Sequence, residues 1–262
     1  MSHSPVDTYQ RVDRIASTGM VYTDRGSGPA VVFLHGWCLN RTLWMYQAYE
    51  LLETHRVLAV DLPGFGESDG LAGPYDLDRF ADAVGSFVEE LALEKPLIVG
   101  FALGAAVAMR LAHRHGGLVG GLALIGPPSA QHAPYVRMAR AMRRDWPDFA
   151  ARSARAVCKQ PQSDATLDWL TEMFRATPLP VALETVDLLS RFEPVPEADG
   201  ISVRTLLVHG EQDDVVPLAI SEQCVQVMGD ARLEAVAGSG HLVVLDHPQH
   251  LTELIQRFAS SL

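Results

Sequence analysis

Four short stretches of the chain hold residue types that could do acid–base and acyl chemistry. Val99-Gly100-Phe101-Ala102-Leu103-Gly104 lies between an apolar run and a helical pattern. Its glycines have the G-x-S-x-G spacing of a sharp strand-to-helix turn that presents a nucleophile, but alanine stands at the middle position. Such a turn needs close neighbours without side chains. It also leaves the backbone N–H of Leu103 at a helix N-terminus, where developing negative charge is stabilised. Taken alone, Gly-x-Ala-x-Gly is only a tight turn. Three further stretches give it company. His35-Gly36-Trp37 follows the first long apolar run, and in this arrangement the N–H of Trp37 is a second donor to the same charge. Gly210-Glu211-Gln212-Asp213-Asp214 and Gly238-Ser239-Gly240-His241 close two later runs. Nucleophile position, acidic residue, histidine is one of the chain orders in which a catalytic triad occurs.

The remaining reactive side chains read as structural. His113 and His115 end a helical pattern, His247 and His250 open the last one, and His209 follows an apolar run. His35 shapes its loop rather than ionising in a reaction. Ser239 sits too near His241 to replace a nucleophile, and Ser68 belongs to a loop. Cys38, Cys158 and Cys224 are far apart and form no C-x-x-C pair, so neither a disulfide framework nor a zinc ribbon is expected. Cys38 is expected to pack. No His/Asp/Glu cluster has metal-ligand spacing, and no metal or cofactor is expected.

Elements must bring these stretches together. Short apolar runs at 30–34, 56–61, 96–101, 119–125, 203–208 and 231–236 each end in a Gly-rich loop, as buried parallel strands do. Helical patterns lie near 77–93, 103–115, 217–228 and 246–261. The alternation predicts an α/β fold with a mostly parallel central sheet and helices on both faces, whose ligands sit at the carboxyl ends of the strands. Residues 128–195 break the alternation with helical patterns only. They are expected to form an inserted helical cap, punctuated at its exit by Pro178, Pro180, Pro194 and Pro196. The core then comprises 1–127 and 196–262.

His35-Gly36-Trp37, Asp61-Leu62-Pro63-Gly64-Phe65-Gly66-Glu67-Ser68, Gly100 to Gly104, Gly210 to Pro217 and Gly238 to His241 occur in one order along the chain. Over essentially its whole length the sequence resembles the lid-bearing esterases of the α/β-hydrolase superfamily. HGWCLN with DLPGFG is similar to the pimeloyl-carrier-protein methyl ester esterases, and the same words recur in lactonases and C–C hydrolases. The resemblance implies that His241 is the general base, a task suited to an imidazole that titrates near neutral pH. It implies that Asp213, fourth in G-x-x-D, orients that imidazole, while Asp214 is solvated or caps the helix near Pro217. It implies further that Trp37 and Leu103 form the oxyanion hole and that Ala102 stands where the family has serine. Asp61 to Ser68 would be a structural loop.

Alanine at 102 leaves three readings. A methyl group cannot attack a carbonyl, and loss of the serine from a comparable triad costs about 10⁶ in kcat. In the first reading, an ester, lactone or thioester hydrolase has had its serine replaced by engineering, as a substrate trap. In the second, alanine is native and a His241/Asp213 dyad abstracts protons, as in the cofactor-independent dioxygenases and lyases of this fold. In the third, the pocket binds a ligand without turnover.

The cap bears on the substrate. Residues 135–160 hold seven cations, Arg137, Arg140, Arg143, Arg144, Arg152, Arg155 and Lys159, against Asp145 and Asp148. They make either a solvated helix face or a dock for an anionic, carrier-protein- or CoA-linked substrate. Tyr135, Met138, Met142, Trp146 and Phe149 lie opposite them. Met142 and Trp146, with Trp37 and Phe101, are expected to contact a hydrophobic acyl or ring group, together with Trp169, Met173 and Phe174, while most of the apolar face packs the cap on the core.

The chain of 262 residues is long enough for a sizeable core. A net charge of −11 argues against nucleic acid or an anionic membrane as partner. The longest apolar run, Leu97 to Met109, falls short of the ~20 residues that span a bilayer. MSHSPVDTYQR lacks an apolar signal segment, so a cytoplasmic protein with reduced thiols is expected, as a monomer or homodimer.

Overall fold

The computed structural model describes residues 13–132 and 134–262. Eight strands form one sheet: β1 (Asp13–Ile15), β2 (Val21–Arg25), β3 (Ala30–Leu34), β4 (Arg56–Val60), β5 (Leu97–Phe101), β6 (Gly121–Ile125), β7 (Thr205–Gly210) and β8 (Ala231–Val236). Their order is β1-β2-β4-β3-β5-β6-β7-β8. The first two strands run antiparallel to their neighbours, and every pairing from β4 to β8 is parallel. Both inner strands β5 and β6 are buried along their full length, which is why they read as continuous apolar runs rather than alternating ones.

The six expected strands stand where the sequence puts them, within two residues. β1 and β2 were not expected. β1 has three residues and β2 reads VYTDR, so neither carries an apolar run long enough to register. Antiparallel ladders define them, β1 on β2 and β2 on β4, through pairs such as Arg14 with Tyr22 and Tyr22 with Val60.

The helices are α1 (Met45–Leu51), α2 (Leu77–Glu90), α3 (Leu103–His115), α4 (Tyr135–Arg144), α5 (Trp146–Ala156), α6 (Asp164–Ala176), α7 (Leu179–Leu189), α8 (Pro194–Ala198), α9 (Leu218–Val227), α10 (Val243–Asp246) and α11 (Pro248–Ala259). The short helices α1 and α10 were missed, being under three turns each. Five helices, α4 to α8, occupy the chain between β6 and β7. Their prolines open helices instead of closing the segment: Pro178 precedes α7 and Pro180 lies in its first turn, and Pro194 begins α8. A proline N–H would be unpaired in a first turn anyway, so its absence costs nothing there.

The chain leaves β3 for β4 on one side, then crosses to β5 on the other side of β3. This reversal opens a crevice at the carboxyl ends of β3 and β5. The start of α3 is pressed into it. All residues from Leu103 to Ala108 are buried, and a Cβ on Gly104 would come within 2.7 Å of the His35 carbonyl oxygen. Only glycine lets the helix approach β3 this closely. The loop after β4 is pinned by buried Asp61, whose carboxylate receives the guanidinium of Arg41 and the backbone N–H groups of Arg41 (2.6 Å) and Glu67 (2.9 Å). Ser68 Oγ donates to the Asp61 carbonyl at 2.7 Å and accepts from Val21 N–H at 2.7 Å. That loop is structural in the sense expected of it.

Candidate active site

Four strand ends converge on one cavity. Ala102 follows β5 with φ +47° and ψ −109° and begins α3. Positive φ is unfavourable for a residue with a Cβ, and such strain persists only when the surroundings enforce it. Here the Ala102 N–H is held by the Ile125 carbonyl at 2.9 Å, while its own carbonyl accepts from Ala105 at 2.9 Å. Leu103 is therefore the first helical residue. Neither its N–H nor that of Trp37, in the loop after β3, has a hydrogen-bond acceptor among the described residues.

Asp213 lies in the loop after β7 and His241 in the loop after β8. His241 Nδ1 donates to Asp213 Oδ2 at 2.8 Å, which leaves Nε2 as the proton acceptor. The other Asp213 oxygen accepts from the N–H groups of Val215 (2.7 Å) and Val216 (2.9 Å). Burial raises the Asp213 carboxyl, but the charge and hydrogen bond of His241, with bonds from His209 and Val216, override this and hold it well below the ordinary carboxylate range. The result is a carboxylate fixed as an acceptor and an imidazole fixed in one tautomer, an arrangement able to take up a proton at Nε2. Asp214 makes no bond to His241: its side chain is 84% exposed and meets Lys159 Nζ at 3.1 Å, although the residue borders the same cavity. It does not cap α9, whose N-cap is Pro217.

Sequence reasoning gave His209 no role beyond following a strand. It is fully buried, with Nε2 2.8 Å from the Val216 carbonyl and 3.2 Å from Asp213 Oδ2. A carbonyl only accepts, so the proton is on Nε2, and Ser221 Oγ donates to Nδ1 at 2.7 Å. His209 thus braces the same carboxylate oxygen that His241 bonds. His35 is also buried. Its Nε2 accepts from Leu62 N–H at 3.0 Å and its Nδ1 donates to the Gly36 carbonyl at 2.8 Å. Burial lowers its pKa, so it stays neutral and holds the loop, as expected.

Ala102, Leu103, Trp37, Phe101 and His241 line a cavity of about 360 Å³ roofed by α4 and α5. The roof corrects the sequence reading. Met138 and Phe149 face the cavity, but Met142 and Trp146 do not. Met142 is fully buried in the core, and Trp146 stacks on Phe149 at 6.0 Å. Met138 precedes Met142 by about one helical turn, and periodicity alone does not say which turn covers the opening. Phe174 also lines the cavity, whereas Trp169 and Met173 do not. Trp37 is edge-on to Trp146, Phe149 and Phe174 and donates from Nε1 to Thr185 Oγ1 at 3.0 Å. Cys38 is buried, its thiol pushed up by desolvation, in keeping with a packing role. Ser239 is buried with its hydroxyl shared between the Gly240 carbonyl at 3.3 Å and Asp246 Oδ2 at 3.4 Å, away from any nucleophilic use. No group of three or more His, Cys, Asp or Glu among the described residues could hold a metal ion.

A sequence profile of the alpha/beta hydrolase family matches residues 31–253. The chain belongs to the alpha/beta hydrolase family. It is 30% identical to the AB hydrolase superfamily protein YisY of Bacillus subtilis, over 91% of this chain and 94% of that one. It is 29% identical to a pimeloyl-acyl-carrier-protein methyl ester esterase of Aeromonas hydrophila, over 89% of this chain and 96% of the esterase. The solved structure of an esterase from Exiguobacterium antarcticum superposes with a TM-score of 0.88 at 25% identity, covering 92% of this chain and 95% of that one. Esterases, lactonases and peroxidases all occur among its similar proteins. The hydrolase fold expected from the sequence is therefore the fold of this chain. No helix among the described residues is long and apolar enough to cross a membrane.

Proposed function

We propose that this chain is a hydrolase of carboxylic esters, lactones or thioesters in which Ala102 replaces the nucleophilic serine, as in an engineered substrate trap. One observation carries the reading. An imidazole fixed to a buried carboxylate at 2.8 Å shares a cavity with a strained turn at residue 102. Nothing in an alanine side chain calls for that backbone strain, whereas a nucleophile held clear of its helix does.

With serine restored, His241 Nε2 takes the hydroxyl proton as oxygen attacks the carbonyl carbon. The N–H groups of Trp37 and Leu103 receive the oxyanion, and Asp213 stabilises the imidazolium. The imidazolium returns the proton to the leaving group, and water activated by His241 then frees the acid. The apolar roof of Met138, Phe149 and Phe174 suits an aliphatic or ring acyl group. On the exposed side of the same two helices, Arg137, Arg140, Arg143, Arg144 and Arg155 make no ion pair among the described residues, and Arg152 meets only Asp148. This favours a substrate whose leaving group is anionic, such as a carrier-protein or CoA thioester.

The test compares the chain with its Ala102→Ser variant, using fluorophosphonate labelling and p-nitrophenyl esters of graded acyl length. Only the serine form should label and turn over, with kcat above the parent's by about 10⁶-fold. An unlabelled, inactive serine variant overturns the reading. A second reading has its own support, because the Asp213–His241 pair is complete without residue 102. A dyad that abstracts substrate protons would work in the chain as it stands and would lose that activity in His241→Ala.

A further inference from the structure

The helical insertion does more than roof the cavity. After α5 the chain runs through residues 157–160 and touches both loops that carry the dyad. The Val157 carbonyl accepts from Leu242 N–H at 3.2 Å, next to His241. Gln160 Nε2 donates to the Gly238 carbonyl at 2.8 Å, and Lys159 Nζ meets Asp214, next to Asp213, at 3.1 Å. Asp246 stands at the centre of these contacts. Its Oδ1 accepts from Lys159 N–H at 3.0 Å and Gln160 N–H at 2.9 Å. Its Oδ2 accepts from Gly240 N–H at 2.8 Å and from Ser239 Oγ at 3.4 Å. One carboxylate, 8% exposed, therefore joins the insertion to the residue that precedes His241.

We propose that Asp246 is a positioning residue which makes the 157–160 strap and the His241 loop a single unit, so that the roof helices set the placement of the imidazole. The proposal rests on the assignment of His241 as the general base. Its physical basis is the sharing of one anion. Oδ1 serves the strap alone, while Oδ2 serves the His241 loop and is shared with Lys159 N–H of the strap at 3.3 Å, and charge-assisted bonds of this kind are the strong, directional ones. Val157 and Ala156 also line the cavity. A group that fills the cavity bears on the strap, and the strap is tied to His241. Substrates that fit the roof would thereby hold the base in place, and ill-fitting ones would not.

The experiment reads His241 directly. In the parent chain, the His241 Nδ1–H donated to Asp213 gives a downfield proton resonance, assigned by its absence in His241→Gln. In Asp246→Ala this resonance should be lost or displaced, while methyl resonances of β3 to β6 stay in place. A purely structural Asp246 would lower the melting temperature and leave the resonance unchanged, and that result overturns the proposal. Should Asp246→Ala not fold, Asp246→Asn, of equal size but with a single acceptor oxygen, must show the same displacement, and an unmoved resonance there overturns the proposal equally. In an Ala102→Ser background, Asp246→Asn should lower kcat by about 10²-fold with KM nearly unchanged. An inactive Ala102→Ser protein would sink the hydrolase assignment but not this one, which the resonance decides.

Discussion

Gly104→Ala separates local preference from tertiary constraint. Gly104 is the second residue of α3, and in a helix glycine costs about 0.8–1.0 kcal/mol relative to alanine. By helix propensity alone the substitution should stabilise. The structure reverses the sign. A Cβ at 104 would overlap the Leu34 carbonyl oxygen and lie 2.7 Å from that of His35, and backbone at the end of a central strand has little freedom to give way. The helix would have to retreat by roughly 1 Å to restore ordinary contact. Overpacking costs about 1–3 kcal/mol, and an overlap with strand backbone puts this site at the upper end, near 3, so a net loss of about 2 kcal/mol is expected after the helix gain. For a chain of this size that lowers Tm by roughly 4–8 °C. Gly116→Ala is the control. Gly116 lies at the far end of the same helix with φ −56°, and a Cβ there has nothing within 4 Å. It should gain about 0.4–1 kcal/mol. Urea unfolding of the three proteins, followed by tryptophan fluorescence, gives both differences. A Gly104→Ala protein as stable as Gly116→Ala would refute the argument that close approach of α3 to β3 fixes the turn at Ala102.

Two further outcomes follow from the buried titratable groups. Asp213 is held below the ordinary carboxylate range, so its contribution is fully present above the unfolded carboxyl's value near 4 and is lost as pH falls toward the depressed folded one. Asp213→Asn should therefore remove part of the acid sensitivity, and urea midpoints between pH 6 and pH 3 should fall less steeply than the parent's; parallel curves would count against a paired carboxylate. Burial pushes the Cys158 and Cys224 thiols up to about 12, and Cys38 is raised as well, so all three should resist Ellman's reagent at neutral pH until urea unfolds the chain. Rapid labelling of native protein would contradict the burial that raises these thiols.

The sequence alone determined the parallel strands, because β5 and β6 are buried on both faces and must be apolar throughout. It determined the turn at Ala102 and the loops of Asp213 and His241, because tight turns restrict residue type locally and leave glycine as a visible mark. Motif spacing and the family resemblance together picked Asp213 over its neighbour Asp214, and Asp213 Oδ2 lies 2.8 Å from His241 Nδ1. Tertiary structure decided the rest. Whether Met138 or Met142 faces the cavity depends on how α4 is rotated over the sheet, and both satisfy the same helical periodicity. β2 exists through pairing with β4, a partner more than thirty residues away in sequence. The work of His209 and Asp246 is invisible one residue at a time, since a buried histidine or aspartate acquires its role from whichever donors and acceptors the fold brings to it. Local chemistry is written in neighbouring residues, but shared hydrogen bonds between distant loops arise only when the chain is packed.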